Sequence, residues 1–306
     1  MDLTHRVLSR QGEFLLFAVT PPRVSTSGDE AQAIADVTLD RLRLLDVDGL
    51  IVYDIDDEVD RNPRERPFPF LPTMDPAEFV DRHLAAWPKP VVVYRATAKY
   101  VEADLRSWIS SQDTQRRLAV FVGAASRESP AATTLRRAQE IRVETEPDLL
   151  LGGVAIPERH TRTGVEHERL IAKQEAGCSF FVTQVIYDVN AAKNLVSDYA
   201  YECRSRGLEP VPIVFTATVC GSMKTLEFLR WLGVQVPRWI ENDLRHADDT
   251  LNASVALAEA ALDELLVFSR RLGVPVGVNI ESVSIRRAEI EAAIQLAERT
   301  RGTLVR

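Results

Sequence analysis

Apolar residues are concentrated in eight short runs, each followed by a longer segment of mixed character. The runs are rich in β-branched side chains, and continuous apolar runs of this length are typical of strands buried on both faces, as in a parallel sheet. The predicted strands are Phe14–Thr20, Gly49–Tyr53, Pro90–Tyr94, Leu118–Val122, Asp148–Ile156, Ser179–Gln184, Val211–Phe215 and Val274–Ile280.

The segments between these runs have helical periodicity. Apolar residues lie on one stripe in Ala31–Leu45 and recur at three- and four-residue steps in Asp248–Leu272, which ends just before Gly273. Strands that alternate with helices in this way predict a single (β/α)8 TIM barrel over residues 1–306, with an extra helix between strands 7 and 8. A doubly wound open sheet fits the same alternation, but no Gly-x-Gly-x-x-Gly follows the first strand.

One segment, Asp54–Pro76, departs from the alternation. Its five prolines stand among many charged residues and block a regular helix or a central strand. The segment is therefore predicted to be a long loop, and long loops in compact domains often serve function.

Composition narrows the classes of partner. The chain has 45 acidic and 37 basic residues and a net charge of −8, which argues against nucleic-acid and membrane-surface partners. It has no apolar run of membrane-spanning length, and its first residues lack the apolar stretch of a secretory signal. Three cysteines are too few for a disulfide scaffold and are expected to be reduced and buried. These features predict a cytoplasmic protein that acts on small molecules, and they leave its oligomeric state open.

Candidate chemistry lies where the strands end, because a barrel of this type places its active site at the carboxyl ends of its strands. Four acidic residues stand between Asp54 and Glu58, where a solvated loop is the alternative. Glu281 ends the eighth strand, and a carboxylate beside an apolar barrel mouth can have a raised pKa and donate a proton. Gln184 ends the sixth, and its amide can both donate to and accept from the edge of a heterocycle. A surface glutamate and a buried structural glutamine are the plain alternatives.

Metal and nucleophile motifs are not evident. The histidines form no HExxH or paired CxxC pattern, so no metal site is expected. Only His160 follows a strand closely, where an exposed loop histidine is the alternative.

Several stretches resemble the methylenetetrahydrofolate reductase family. The segment Glu175–Asp188 is similar to that family's Asp-Ala-Gly-Ala…Thr-Gln-aromatic-aromatic-aromatic-Asp segment, and it is the most specific match. The matching stretches follow one another in the same order and at the same spacing as in that family, over nearly the whole chain. The other matching stretches are Phe17–Arg23, Ile156–His160 and Gly233–Trp239.

The resemblance implies a barrel that binds FAD, takes electrons from NADH and reduces 5,10-methylenetetrahydrofolate to 5-methyltetrahydrofolate. Gln184 matches the glutamine that contacts the folate pterin. Lys173 and His160 match positions near the phosphates and ribityl chain of the flavin.

Other family positions have changed, and most of them are flavin contacts. The glutamate that usually protonates folate is Ala18, and the arginine and aspartate after the fourth strand are lost. The chain therefore resembles the divergent members of the family that are reported to work without flavin. The remaining departures are Tyr94 for a histidine, Arg169 and Ala172 on the fifth helix, Thr216–Val219 in the seventh-strand loop and Met223 for an aromatic residue.

The resulting hypothesis is direct hydride transfer from NADH, with FAD absent. Glu281 is the first candidate for the missing proton donor, or for a carboxylate that binds the pterin, and Asp54 is the second. Tyr187 and Tyr53 are expected to stack on the folate. Residues expected to surround the nicotinamide cofactor are His160, Lys173, Tyr94, Thr216 and Met223.

Three alternatives stay open at this stage. They are an FAD enzyme with a rebuilt flavin site, a folate-binding protein without activity, and an unrelated barrel enzyme such as a magnesium-dependent lyase.

Overall fold

The computed structural model describes residues 2–57, 62, 64–124 and 131–304. Eight parallel strands close into a barrel in chain order, so the predicted TIM barrel is confirmed. The strands are β1 (Phe14–Val19), β2 (Gly49–Val52), β3 (Val91–Ala96), β4 (Arg117–Val122), β5 (Leu150–Ala155), β6 (Cys178–Val185), β7 (Ile213–Thr218) and β8 (Val276–Glu281).

Helices surround the barrel. They are α1 (Leu3–Leu8), α2 (Gly28–Leu42), α3 (Pro76–His83), α4 (Glu102–Ser110), α5 (Leu135–Thr145), α6 (Pro157–Thr163), α7 (Glu166–Glu175), α8 (Val189–Arg206), α9 (Met223–Trp231), α10 (Arg238–His246), α11 (Thr250–Leu272) and α12 (Arg287–Leu304). The β7–β8 connection holds the predicted extra helix and one more, since α9 and α10 both precede α11, which packs on β7 and β8.

The barrel interior is filled by residues that alternate along each strand. Leu3 and Val7 of α1 belong to this same interior cluster, so α1 closes the amino-terminal end of the barrel. A Cβ atom on Gly277 would lie 2.3 Å from the Phe14 ring, which explains why β8 has a glycine there. The buried interior residues on the strands are Phe14, Leu16, Ala18, Ile51, Val92, Tyr94, Leu118, Val120, Leu150, Phe180, Val182 and Val214.

The segment predicted as a loop contains no helix or strand in its described part before α3 begins at Pro76. One isolated antiparallel bridge joins Thr73 in this loop to Arg23. Glu58, one of the four acidic residues that follow the second strand in sequence, lies outside the described residues.

The three cysteines, Cys178, Cys203 and Cys220, are buried and form no disulfide, as expected. Among the described helices, none combines the length and the apolar character that crossing a membrane would require.

Candidate functional site

A line of hydrogen-bonded side chains crosses the carboxyl end of the barrel. The Nδ2 atom of Asn279 on β8 donates to the Tyr53 hydroxyl at 2.9 Å and approaches Oγ1 of Thr216 on β7 at 3.3 Å. The Tyr53 hydroxyl in turn donates to Oε2 of Glu281. Residues from β7, β8 and the end of β2 thus meet at one point in the barrel mouth.

The hydrogen bonds in this line have a fixed direction. An amide nitrogen can only donate, so the Tyr53 oxygen accepts from Asn279 and directs its own proton toward Glu281. The Asn279 side chain is fully buried, which holds the donor in place.

The Glu281 carboxyl has an unusual acidity. Burial raises the pKa of Glu281 to about 7, and the hydrogen bond from Tyr53 opposes part of that rise. Burial and the neighbouring Glu281 also raise the pKa of Tyr53 well above its usual value, so the phenol stays neutral. At neutral pH a substantial fraction of the Glu281 carboxyl is protonated, and it can therefore serve as a proton donor.

Tyr94 on β3 forms one wall of the mouth. Its ring meets the Tyr53 ring edge-on, with 4.9 Å between the centroids. Burial, with the nearby Glu281 carboxylate as a second cause, raises the pKa of Tyr94, so this phenol also stays neutral. Ala18, where the resemblance calls for a glutamate, belongs to the same interior cluster as Tyr94 and offers no polar atom.

Gln184 is the next-to-last residue of β6, at the carboxyl end of the barrel. It follows Phe180 and Val182 of the barrel interior, but the pairing of β6 with β7 is irregular between Val182 and Val185, so alternation does not fix the direction of its side chain. Its Nε2 atom donates to the carbonyl of Leu232 at 2.8 Å, which ties the end of β6 to the residue that ends α9.

Tyr187 and Met223 lie apart from this group. Tyr187 is buried in a separate apolar cluster with Leu226 of α9 and Ile240 of α10, and Met223 packs against that cluster. The structure therefore places both residues in an apolar cluster of the β7–β8 insertion, separate from the interior cluster against which Tyr53 packs.

Asp54 belongs to a different polar cluster from Glu281. β2 ends at Val52, so strand alternation does not extend to Asp54 and Asp56. The buried Asp54 carboxylate accepts from the Ala96 amide and the Tyr100 hydroxyl, both at 2.8 Å, and pairs with Lys99 at 2.5 Å. These contacts fix the end of β2 to the end of β3.

His160 and Lys173 lie in the layer of helices outside the barrel. Nε2 of the buried His160 lies 3.0 Å from Oδ2 of Asp198 on α8. The Lys173 ammonium donates to the Val154 carbonyl, and burial lowers the pKa of Lys173. The structure brings neither residue to the Tyr53–Glu281 pair.

Asn279 is the mouth residue that sequence reasoning did not select. It lies two residues before Glu281 on the same strand, and residues two apart in a strand face the same way. The two-residue spacing between Asn279 and Glu281 was therefore the sequence feature that indicated a shared position at the mouth.

Two comparisons with known proteins identify the family of the chain. A family model described as methylenetetrahydrofolate reductase matches residues 138–272. A solved structure described as an uncharacterized protein from Clostridium thermocellum that binds two copies of 5-methyl-5,6,7,8-tetrahydrofolic acid is 41% identical, with a TM-score of 0.87 over 98% of this chain and 99% of that one. The chain belongs to the methylenetetrahydrofolate reductase family.

The remaining comparisons show the fold of this chain and nothing about its function. A psychrophilic glycoside hydrolase family 10 endo-β-1,4-xylanase aligns over 97% of this chain and 99% of its own, with a TM-score of 0.52 and 9% identity. At that identity the likeness shows the barrel fold alone. No curated protein matches the chain.

Proposed function

We propose that this family member reduces 5,10-methylenetetrahydrofolate to 5-methyltetrahydrofolate with hydride taken directly from NADH and without flavin. The observation that supports the proposal is the environment of Glu281. Its carboxyl is buried at the barrel mouth beside a neutral Tyr53, and its pKa is about 7. The folate bound by the Clostridium thermocellum protein supports the choice of substrate.

The first step of the proposed reaction is opening of the methylene bridge. A proton on N10 of the folate lets the C–N10 bond break and leaves an iminium cation at N5. Glu281 takes the role that Ala18 cannot perform. Because Tyr53 donates to Oε2, the proton of the neutral acid lies on Oε1, and that oxygen gives it to N10.

The second step is transfer of hydride. Hydride leaves C4 of the nicotinamide and adds to the methylene carbon of the iminium, which yields the N5-methyl product and NAD⁺. Both substrates must then be bound together, with the reacting carbons about 3–3.5 Å apart. The rings of Tyr53 and Tyr94 provide flat apolar surfaces at the mouth for such ligands.

The side chains of this chain fit FAD poorly. A flavin diphosphate requires cations and hydrogen-bond donors in fixed places. Lys173 and His160 match flavin-side positions, yet the Lys173 ammonium is bonded to the Val154 carbonyl and His160 is paired with Asp198. This disagreement supports a reaction that proceeds without the flavin.

A non-catalytic folate-binding protein is the second candidate. The loss of the family glutamate at Ala18 favours it, because that residue is the usual proton donor. It predicts folate binding without oxidation of NADH.

The deciding experiment is a visible spectrum of the purified protein, followed by initial rates with both substrates varied and no added flavin. We expect no flavin absorption, NADH oxidation only when folate is present, and intersecting double-reciprocal lines. Bound flavin or parallel, ping-pong lines would contradict direct transfer. Folate binding without turnover would favour the second candidate.

A further inference from the structure

A second group of polar side chains lies in the outer helices, away from the barrel mouth. His160 on α6, His167 on α7 and Asp198 on α8 each direct a ligand atom into one small volume, with all three atoms within 4.8 Å of one another. We propose that these residues bind a divalent transition-metal ion of the zinc type, which joins the three helices.

The donor set suits such an ion. Two imidazole nitrogens and one carboxylate oxygen are ligands that Zn²⁺ prefers, and a water molecule commonly completes the tetrahedron. Zinc–ligand bonds of about 2.0–2.1 Å place two ligand atoms roughly 3.3 Å apart. The separation of 3.0 Å between Nε2 of His160 and Oδ2 of Asp198 is close to this value.

The histidines carry ring nitrogens that the surrounding protein leaves unsatisfied. Among the described residues, Nδ1 of His160 and Nδ1 of His167 have no hydrogen-bond partner, although both atoms are buried. His160 is only 5% exposed, so water does not readily replace the missing partner. Leaving a buried polar atom without a partner is unfavourable. In the proposed site His160 binds the ion through Nε2, the atom near Asp198, and ligation through Nδ1 of His167 would give that buried nitrogen a partner, which the His160–Asp198 pair alone does not.

The site is accessible from solvent through its less buried members. The Asp198 side chain is 53% exposed, and the His167 ring lies edge-on to the His160 ring at 5.3 Å. In the proposed site the ion would draw together ligand atoms that lie within 4.8 Å of one another, and the exposed Asp198 side chain has room to move. Because the three ligands come from three successive helices, the bound ion would stabilise the outer layer next to β5 and β6.

The test uses the full chain without a histidine tag, stripped with a chelator, dialysed and titrated with Zn²⁺ by isothermal titration calorimetry. We expect one ion per chain and a higher melting temperature in excess Zn²⁺, because a ligand that binds the folded state stabilises it. His167→Gln and Asp198→Asn should each weaken binding about tenfold or more, given that three ligands hold the ion.

His246→Gln is the matched control, since this histidine is exposed on α10 and outside the cluster. It should bind Zn²⁺ as the unchanged protein does. Far-ultraviolet circular dichroism of the metal-free variants confirms that they fold. The proposal fails if the unchanged protein shows no saturable binding, or if both ligand variants bind as tightly as the control. Folate binding, measured in parallel, should be unaffected by the ligand variants.

Discussion

At the scale of single residues, Glu281 derives its proposed role from its immediate surroundings. Burial at the barrel mouth raises the pKa of its carboxyl to about 7, and the Tyr53 hydroxyl limits the rise by donating a hydrogen bond. Asn279 fixes the direction of that bond, because it can only donate to the Tyr53 oxygen. Burial and Tyr53 thus set the acidity of Glu281, and the Asn279–Tyr53 hydrogen bond determines which carboxyl oxygen carries the proton.

Glu281→Gln should lower kcat about 10²- to 10⁴-fold, because glutamine keeps the size of the side chain but cannot donate an acidic proton. Steady-state rates with both substrates saturating measure the effect. Glu298→Gln, at an exposed position of α12, is the control and should leave kcat unchanged. A rate near that of the unchanged protein would exclude Glu281 as the acid.

The pH dependence of kcat/KM should show one descending limb near pH 7. The protonated carboxyl is the active form, so activity is present below the pKa of Glu281, about 7, and is lost as the pH rises through it. Tyr53→Phe removes a hydrogen bond that lowers this pKa, so the limb should move to higher pH. Tyr201→Phe, at an exposed position, is the control. A limb that stays in place or moves to lower pH would contradict the assignment.

Gln184→Ala should raise the KM for folate about tenfold, as expected for the loss of one good hydrogen bond, and change the KM for NADH much less. Initial rates with each substrate varied in turn separate the two constants. Gln295→Ala on the surface of α12 serves as the control. A larger change in the KM for NADH than in the KM for folate would show that Gln184 does not contact the pterin.

At the scale of secondary-structure elements, a buried ionic cluster joins the ends of β2 and β3. Asp54 accepts a hydrogen bond from the Ala96 amide, and the single proton of the Tyr100 hydroxyl is shared between Asp54 at 2.8 Å and Asp75 at 3.0 Å. Asp75 binds Arg95 with two contacts of 2.8 and 2.9 Å, and the guanidinium of Arg95, opposed by burial, lowers the pKa of Asp75. This cluster fixes Asp54, the residue after Tyr53 in the chain, to the end of β3.

Asp54→Asn should destabilise the protein by about 2 kcal/mol, because Lys99 loses its buried partner but is exposed enough to regain some hydration. The descending pH limb should stay where it is, since Asp54 contacts no mouth residue. Urea unfolding and the pH profile are the two measurements, with Asp56→Asn as the control. If Asp54→Asn removed the descending limb of the pH profile and left the free energy of unfolding unchanged, Asp54 would be the acid instead of Glu281.

The sequence predicted the elements well because buried parallel strands are continuous apolar runs. Each predicted strand overlaps an observed one, and the differences lie at the ends. The rule that chemistry lies at strand ends selected Tyr53 and Glu281, which the structure brings together. It could not show that Asp54 forms its bonds with the next strand, because β2 ends before that residue. It also could not place His160, since α6 begins directly after β5 and directs that ring toward α8.

At the scale of the whole molecule, the barrel depends on close packing between its first and last strands. β1 and β8 pair with Phe14 opposite Gly277, and the Phe14 ring occupies the space that a side chain at Gly277 would need. Small residues at such points allow the interior to be filled by large neighbours.

Gly277→Ala should destabilise the protein by about 1–3 kcal/mol, because the added methyl group overpacks the interior against Phe14. Gly302→Ala is the control: nothing lies within 4 Å of its added Cβ, and alanine in α12 should stabilise by up to about 1 kcal/mol. Urea unfolding of both variants measures the difference. Equal stability of the two variants would show that the packing between β1 and β8 adjusts to the added methyl group without cost.

Helix α1 closes the amino-terminal end of the barrel, because Leu3 and Val7 fill it. In the proposed reaction, folate, NADH and both products would therefore pass through the same opening at the mouth. Whichever substrate lies deeper would arrive first, and its product would leave last. The kinetics should therefore follow a compulsory order. The outer substrate in excess should trap the enzyme in a dead-end complex with the deeper product, which appears as substrate inhibition.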